Sequence, residues 1–126
     1  NEDSIFADME RVVNKFNQSH DGAMINVGLA PCSPFSVSKR LMIETAKLAR
    51  QLGVGLHTHL AENEDDLKFS KEMYGCTPGE YIQELEWVGP DVWHAHCVKL
   101  SDKEIEIFKK LCSFKASMIF FSLAML

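Results

Sequence analysis

Two rhythms of apolar residues alternate along this chain. Ile5, Met9, Val12, Val13 and Phe16 recur at helical spacing between residues 4 and 17, and Leu41, Thr45, Leu48 and Ala49 share one helical face between 38 and 52. Between and beyond them lie three compact, largely apolar runs bounded by turn residues, at 25–30, 55–60 and 92–98, which predict buried strands. Local signals agree with this division. Gly53 stands where a left-handed C-terminal cap belongs. Thr77-Pro78-Gly79-Glu80 reads as a capping box with proline at the first helical position. Ser101-Asp102-Lys103-Glu104 reads as a second box, with Leu100 and Ile105 spaced as a hydrophobic staple. The order is helix, strand, helix, strand, helix, strand, helix, and strict alternation of this kind implies a parallel α/β sheet.

In such sheets ligand chemistry collects at the C-terminal ends of the strands. Three segments fall there: Pro31-Cys32-Ser33-Pro34, His59 to Glu62, and His96-Cys97. Alternate side chains of a strand share a face, so His57 and His59 point one way, and His94 and His96 repeat that spacing on another strand. A histidine on a metal with a carboxylate nearby is equipped for hydrolysis, since the metal acidifies a water and the carboxylate moves its protons. Spacing by itself is equally compatible with hydrogen-bonded core histidines. The convergence of three strand ends on one rim favours the metal reading.

At 126 residues the chain has the length of one small domain. A net charge of −5 with no Lys/Arg block excludes a nucleic-acid polymer as partner, while a small heterocycle needs no basic face. Cys32, Cys76, Cys97 and Cys112 form no CxxC pair, which argues against a disulfide framework or a zinc knuckle. No charged stretch followed by an apolar one opens the chain, so the expected compartment is the cytoplasm, with no membrane association.

Four motifs in order carry a family resemblance: Leu29-Ala30-Pro31-Cys32-Ser33-Pro34-Phe35-Ser36-Val37, Leu56-His57-Thr58-His59-Leu60-Ala61-Glu62, Tyr74-Gly75-Cys76-Thr77-Pro78-Gly79-Glu80-Tyr81, and Trp87-Val88-Gly89-Pro90-Asp91-Val92-Trp93-His94-Ala95-His96-Cys97. From about residue 1 to about residue 110 the chain resembles the central part of the amidohydrolase superfamily, in its cytosine deaminase and chlorotriazine hydrolase branch, nearest to the 8-oxoguanine deaminases. The resemblance implies part of a distorted (β/α)8 TIM-type barrel, about strands four to six with their helices. It also implies one divalent catalytic metal, usually zinc. His59 then matches the fifth-strand metal ligand, and Glu62 the proton shuttle that also contacts substrate. His96 matches the sixth-strand histidine that hydrogen-bonds the attacking oxygen or developing tetrahedral centre, and it is a second candidate metal ligand. Cys32 occupies a substrate-contacting position. The implied reaction hydrolyses a C–N bond of a nitrogen heterocycle and releases ammonia. The favoured substrate is 8-oxoguanine, with guanine, cytosine or a chlorotriazine as alternatives, in a full-length protein expected to be a homo-oligomer.

Other residues read more plainly. His57 is expected to orient the site or fill the core, His94 to be buried packing, and Cys76, Cys97 and Cys112 to be inert. Glu64, Asp65 and Asp66 suit a solvated helix N-terminus, and His20 a loop. The family's first-strand His-x-His and eighth-strand aspartate have no counterpart here, so this chain by itself is expected to bind metal weakly and to be inactive. A complete barrel takes about 250 residues, which makes residues 1–112 a barrel fragment with two unpaired sheet edges. Resemblance lapses after Lys110. Residues 113–126 end in an apolar, uncharged run too short to span a bilayer as a helix, and are expected to reflect a frameshift or gene-fragment boundary. The competing expectation is a truncated, non-catalytic domain.

Overall fold

The computed structural model describes residues 1–111; Cys112 and the apolar tail lie outside them. Seven elements follow in order: α1 (Glu2–Phe16), α2 (Lys39–Leu52), β1 (Leu56–Leu60), α3 (Glu64–Tyr74), α4 (Pro78–Glu84), β2 (Val92–His96) and α5 (Asp102–Leu111). The architecture is mixed α/β, with β1 and β2 paired in parallel from Leu56 opposite Val92 to Leu60 opposite His96.

Local chemistry places the helix ends. Ser38 accepts the amide of Leu41 at 3.0 Å to open α2, and Gly53 closes it with φ +67°. Thr77 and Glu80 form the expected box at α4, and Ser101 and Glu104 the expected box at α5. Glu104 does more than cap. It is 3% exposed and also accepts the Gly79 amide at 2.8 Å, which ties α5 to α4. Burial pushes its carboxyl up, but the bonds from Ser101, Thr77 and Gly79 hold it below the usual carboxylate range. A β-carbon on Gly79 would lie 2.7 Å from Glu104 Oε1, so the contact requires glycine. The staple is half made, since Leu100 packs on the core while Ile105 is 49% exposed.

Two sequence expectations need correction. One helix was expected between β1 and β2; the chain forms two, because Gly75 at φ +74° ends α3 and Pro78 starts α4. A third strand was expected at 25–30, but only Leu29 makes a bridge, to Leu56. Leu29 N donates to Gly55 O at 2.9 Å and His57 N to Leu29 O at 3.0 Å, after which Pro31, lacking an N–H, cannot return the next bond. The acceptor for His59 N is then Cys32 O at 3.1 Å, one residue beyond the regular partner.

Along β1, Leu56, Thr58 and Leu60 are buried while His57 and His59 are partly exposed. The buried side joins Met42, Ala46 and Ala49 of α2 with Tyr81, Ile82, Leu85 and Trp87 in one apolar cluster, and Trp87 Nε1 donates to Met42 O at 2.8 Å. Leu41, Thr45 and Ala49 are buried on α2 as expected, Leu48 only partly. On α1 the stripe is mostly open: Val13 is its buried residue, and Ile5 and Phe16 are 43% and 46% exposed. No helix among the described residues is long and apolar enough to cross a membrane.

Candidate active site

A cleft of about 320 Å³ opens at the C-terminal ends of the two strands, lined by Cys32, Ser33, Phe35, His59, Glu62, Asp66 and His96. The four residues singled out from sequence, Cys32, His59, Glu62 and His96, therefore share one wall. A larger groove of about 450 Å³ runs between α1 and residues 27–30, but its lining carries no histidine or cysteine and lies away from the strand ends.

His59 reaches the cleft by the ordinary pleat of β1. Its Nδ1 lies 2.6 Å from Cys32 O. A carbonyl oxygen can only accept, so Nδ1 carries a proton, and in the neutral ring the lone pair a metal ligand requires is then on Nε2. One pleat back, His57 stacks on Trp93 at 5.2 Å and meets Trp93 O through Nδ1 at 3.2 Å. That bond leaves His57 as a support for the sheet beside His59, 5.6 Å away ring to ring.

The second His-x-His does not face the same way as the first. Register pairs Thr58 with His94 and Leu60 with His96, so the pleat would send both β2 histidines to the helix side. His94 goes there and stacks on Phe108 of α5 at 5.4 Å, with Nε2 sealed from solvent and without a hydrogen-bond partner. Burial lowers its pKa to about 4, against a smaller opposing pull from the Trp87 backbone. His96 escapes. Its φ is +67° and that of Cys97 is +57°, left-handed backbone that neither residue favours. This twist at the strand end accompanies a ring that stacks on His59 at 5.3 Å and puts Nε2 3.7 Å from Glu62 Oε2.

Glu62 sits on a third left-handed turn, Ala61 at φ +48°, fully buried. Lys99 N donates to Ala61 O at 2.9 Å and Cys97 N to Leu60 O at 2.8 Å, so the two strand-end loops hold each other. Asp66 accepts the Glu62 amide at 2.8 Å and also lines the cleft. The sequence reading, which took Asp66 as solvated, missed this role. The available signal was its position three residues after the Asn63 cap, the spacing at which an acid reaches back past a helix start. Strained backbone of about 1–3 kcal/mol per residue persists where surrounding bonds over-determine it, and Ala61, His96 and Cys97 place it at this rim, with Glu86 at φ +60° a further instance outside it.

Cys32 exposes its thiol to the cleft. Cys97 is different, for burial pushes its thiol up to about 11, leaving it protonated and unreactive at neutral pH. Burial raises the Cys76 thiol as well. Two imidazoles and a carboxylate are donors of the kind zinc takes. Even so, no group of three or more His, Cys, Asp or Glu among the described residues is arranged to hold a metal ion. The donors fit part of a metal site.

The sequence pattern of the amidohydrolase family matches residues 1–119. The chain is 40% identical over 103 residues to the 8-oxoguanine deaminase of Pseudomonas aeruginosa, covering 82% of this chain and 23% of that protein. It is 44% identical over 87 residues to a 5'-deoxyadenosine deaminase of Methanopyrus kandleri, covering 69% and 20%. Among solved structures, an atrazine chlorohydrolase from Arthrobacter aurescens TC1 complexed with zinc is similar with a TM-score of 0.83 at 26% identity, covering 88% of this chain and 24% of that one. The chain thus spans about a quarter of the length of the relatives it matches.

Proposed function

The chain belongs to the amidohydrolase family, and on that premise we propose that it carries part of the active site of a metal-dependent aminohydrolase. The observation that supports this best is the convergence of His59, Glu62 and His96 on one cleft at the strand ends. Residues 1–112 form a portion of a (β/α)8 barrel, about its fourth to sixth strands.

His59 would hold one divalent metal, zinc by analogy with the chlorohydrolase, with His96 a second candidate ligand. When bound, the metal would supply the polarisation that makes a water nucleophilic at neutral pH. Glu62 would accept one proton from the attacking water and pass it to the ring nitrogen of the substrate, then carry the proton of the adduct's hydroxyl to the departing amine, so that ammonia leaves and Glu62 returns to its carboxylate form. His96, stacked on His59 and 3.7 Å from Glu62, hydrogen-bonds the attacking oxygen or the developing tetrahedral centre. Cys32 contacts the heterocycle and contributes to selectivity.

The substrate is a small nitrogen heterocycle, 8-oxoguanine first, with guanine, cytosine and chlorotriazines as further candidates. A nucleic-acid polymer or a membrane does not suit a chain of net charge −5 without a basic block. We place the full-length protein in the cytoplasm as a homo-oligomer. Ammonia release by the protein carrying this segment in a complete barrel is the test. Release from 8-oxoguanine is expected, and none from any aminopurine, aminopyrimidine or triazine would overturn the reading.

The incomplete donor set among the described residues favours a second reading for the chain taken alone, as a non-catalytic piece. Metal analysis of the purified chain separates the two: an empty chain is expected, and near-stoichiometric zinc would show a self-sufficient site.

A further inference from the structure

We propose that Thr58 is the positioning residue that sets the tautomer and aim of His59, acting through the carbonyls of Pro31 and Cys32. Thr58 lies on the opposite face of β1 from His59 and is fully buried between Leu56 and Leu60. Its hydroxyl lies 2.9 Å from Pro31 O and 3.3 Å from Cys32 O. Cys32 O is the same atom that accepts His59 N at 3.1 Å and His59 Nδ1 at 2.6 Å. One carbonyl therefore joins the buried side of the strand to the imidazole on its open side.

The need for such a link follows from Pro31. Without an N–H it cannot return a ladder bond to β1, so the segment carrying the His59 acceptor keeps the bond from His59 N to Cys32 O but lacks the one Pro31 would have donated to His57 O. The Thr58 hydroxyl adds a different tie from the far side, its one proton directed to Pro31 O with Cys32 O as the longer arm. With Cys32 O held in place, Nδ1–H is satisfied and Nε2 is left to the cleft. The plain alternative is that Thr58 is a β-branched strand residue filling the core. Valine fills the same volume without the hydroxyl, so the two roles separate.

The inference rests on the reading of His59 as a metal ligand, yet its test needs neither metal nor substrate. Long-range proton–nitrogen NMR on the labelled chain, at mildly alkaline pH where free imidazole is neutral, reports the His59 tautomer. The wild-type ring is expected to carry its proton on Nδ1. Thr58→Val loses that preference and shows mixed tautomers, while Thr58→Ser retains it. A wild-type or folded Thr58→Val spectrum that breaks this pattern, the former without Nδ1–H or the latter with it intact, overturns the proposal. Should Thr58→Val lose its dispersed amide spectrum, Thr58→Ser against Thr58→Ala decides: serine must keep the Nδ1–H form and alanine must lose it. Absence of ammonia release by the wild-type segment in a complete barrel would sink the deaminase reading, while a His59 tautomer that follows Thr58→Val and Thr58→Ser as above would leave this proposal standing.

Discussion

His57-Thr58-His59 on β1 and His94-Ala95-His96 on β2 have the same spacing and opposite placements. On β1 both rings face the open side and His59 enters the cleft by pleat alone. On β2 the register turns the pair toward the helices: His94 stays there against Phe108, and His96 joins His59 at a strand end with positive φ. Identical local motifs thus yield a candidate ligand with its supporting neighbour on one strand, and a half-buried packing residue with a candidate catalytic group on the other. A two-residue period establishes that two side chains share a face, and pairing decides which face it is.

The largest expected effect concerns the carboxylate the two strands share. In the complete protein Glu62→Gln should lower kcat for ammonia release by about 10²–10⁴-fold with little change in melting temperature. A loss under about tenfold would return both His-x-His segments to structural roles. Next comes the helix-facing side of β2. Since the folded pKa of His94 is lowered from 6.5 to about 4, the unfolded chain takes up the proton first as pH falls. The stability present above pH 6.5 should drain toward pH 4, by up to about 3 kcal/mol, in urea titrations of the chain. His94→Phe should flatten that slope, and an unchanged slope would place the acid sensitivity elsewhere.

A smaller effect is expected at the β1 turn. Asp66→Ala removes the acceptor of the Glu62 amide, costing about 1 kcal/mol of stability, as lost helix caps do. It should also cost about tenfold in kcat if the turn must be held for proton transfer, about 1.4 kcal/mol of barrier. Unchanged kcat with lowered stability would make Asp66 a cap and nothing more. Smallest of all, His57→Gln should shift stability by less than about 1 kcal/mol and leave the His59 tautomer intact. A tautomer change there would make the two β1 histidines a coupled unit rather than ligand and neighbour.

Much of the scaffold could be read locally. Gly53, Thr77 with Glu80, and Ser101 with Glu104 sit where their chemistry implies, because caps are satisfied within one helical turn. Breaks were harder. The proline that ends the sheet bonding at 31 also moves the His59 acceptor by one residue, and that shift shows only when the two segments are side by side. Asp66 looked solvated because its partner, the Glu62 amide, becomes an open donor only once Ala61 adopts its left-handed turn.

The amino-acid order by itself determined the helix caps, the strand at 56–60, and the short set of residues able to do chemistry, since each depends on neighbours within a few positions. It also carried the family resemblance now matched over residues 1–119. Only the tertiary structure decided that His96 and not His94 meets His59, and that the Cys32 carbonyl holds the imidazole. It likewise decided that Thr58 reaches that carbonyl from beneath. Those outcomes turn on strand register and on positive backbone φ at the strand ends, which arise from contacts across about 26–38 residues of sequence and leave no local trace.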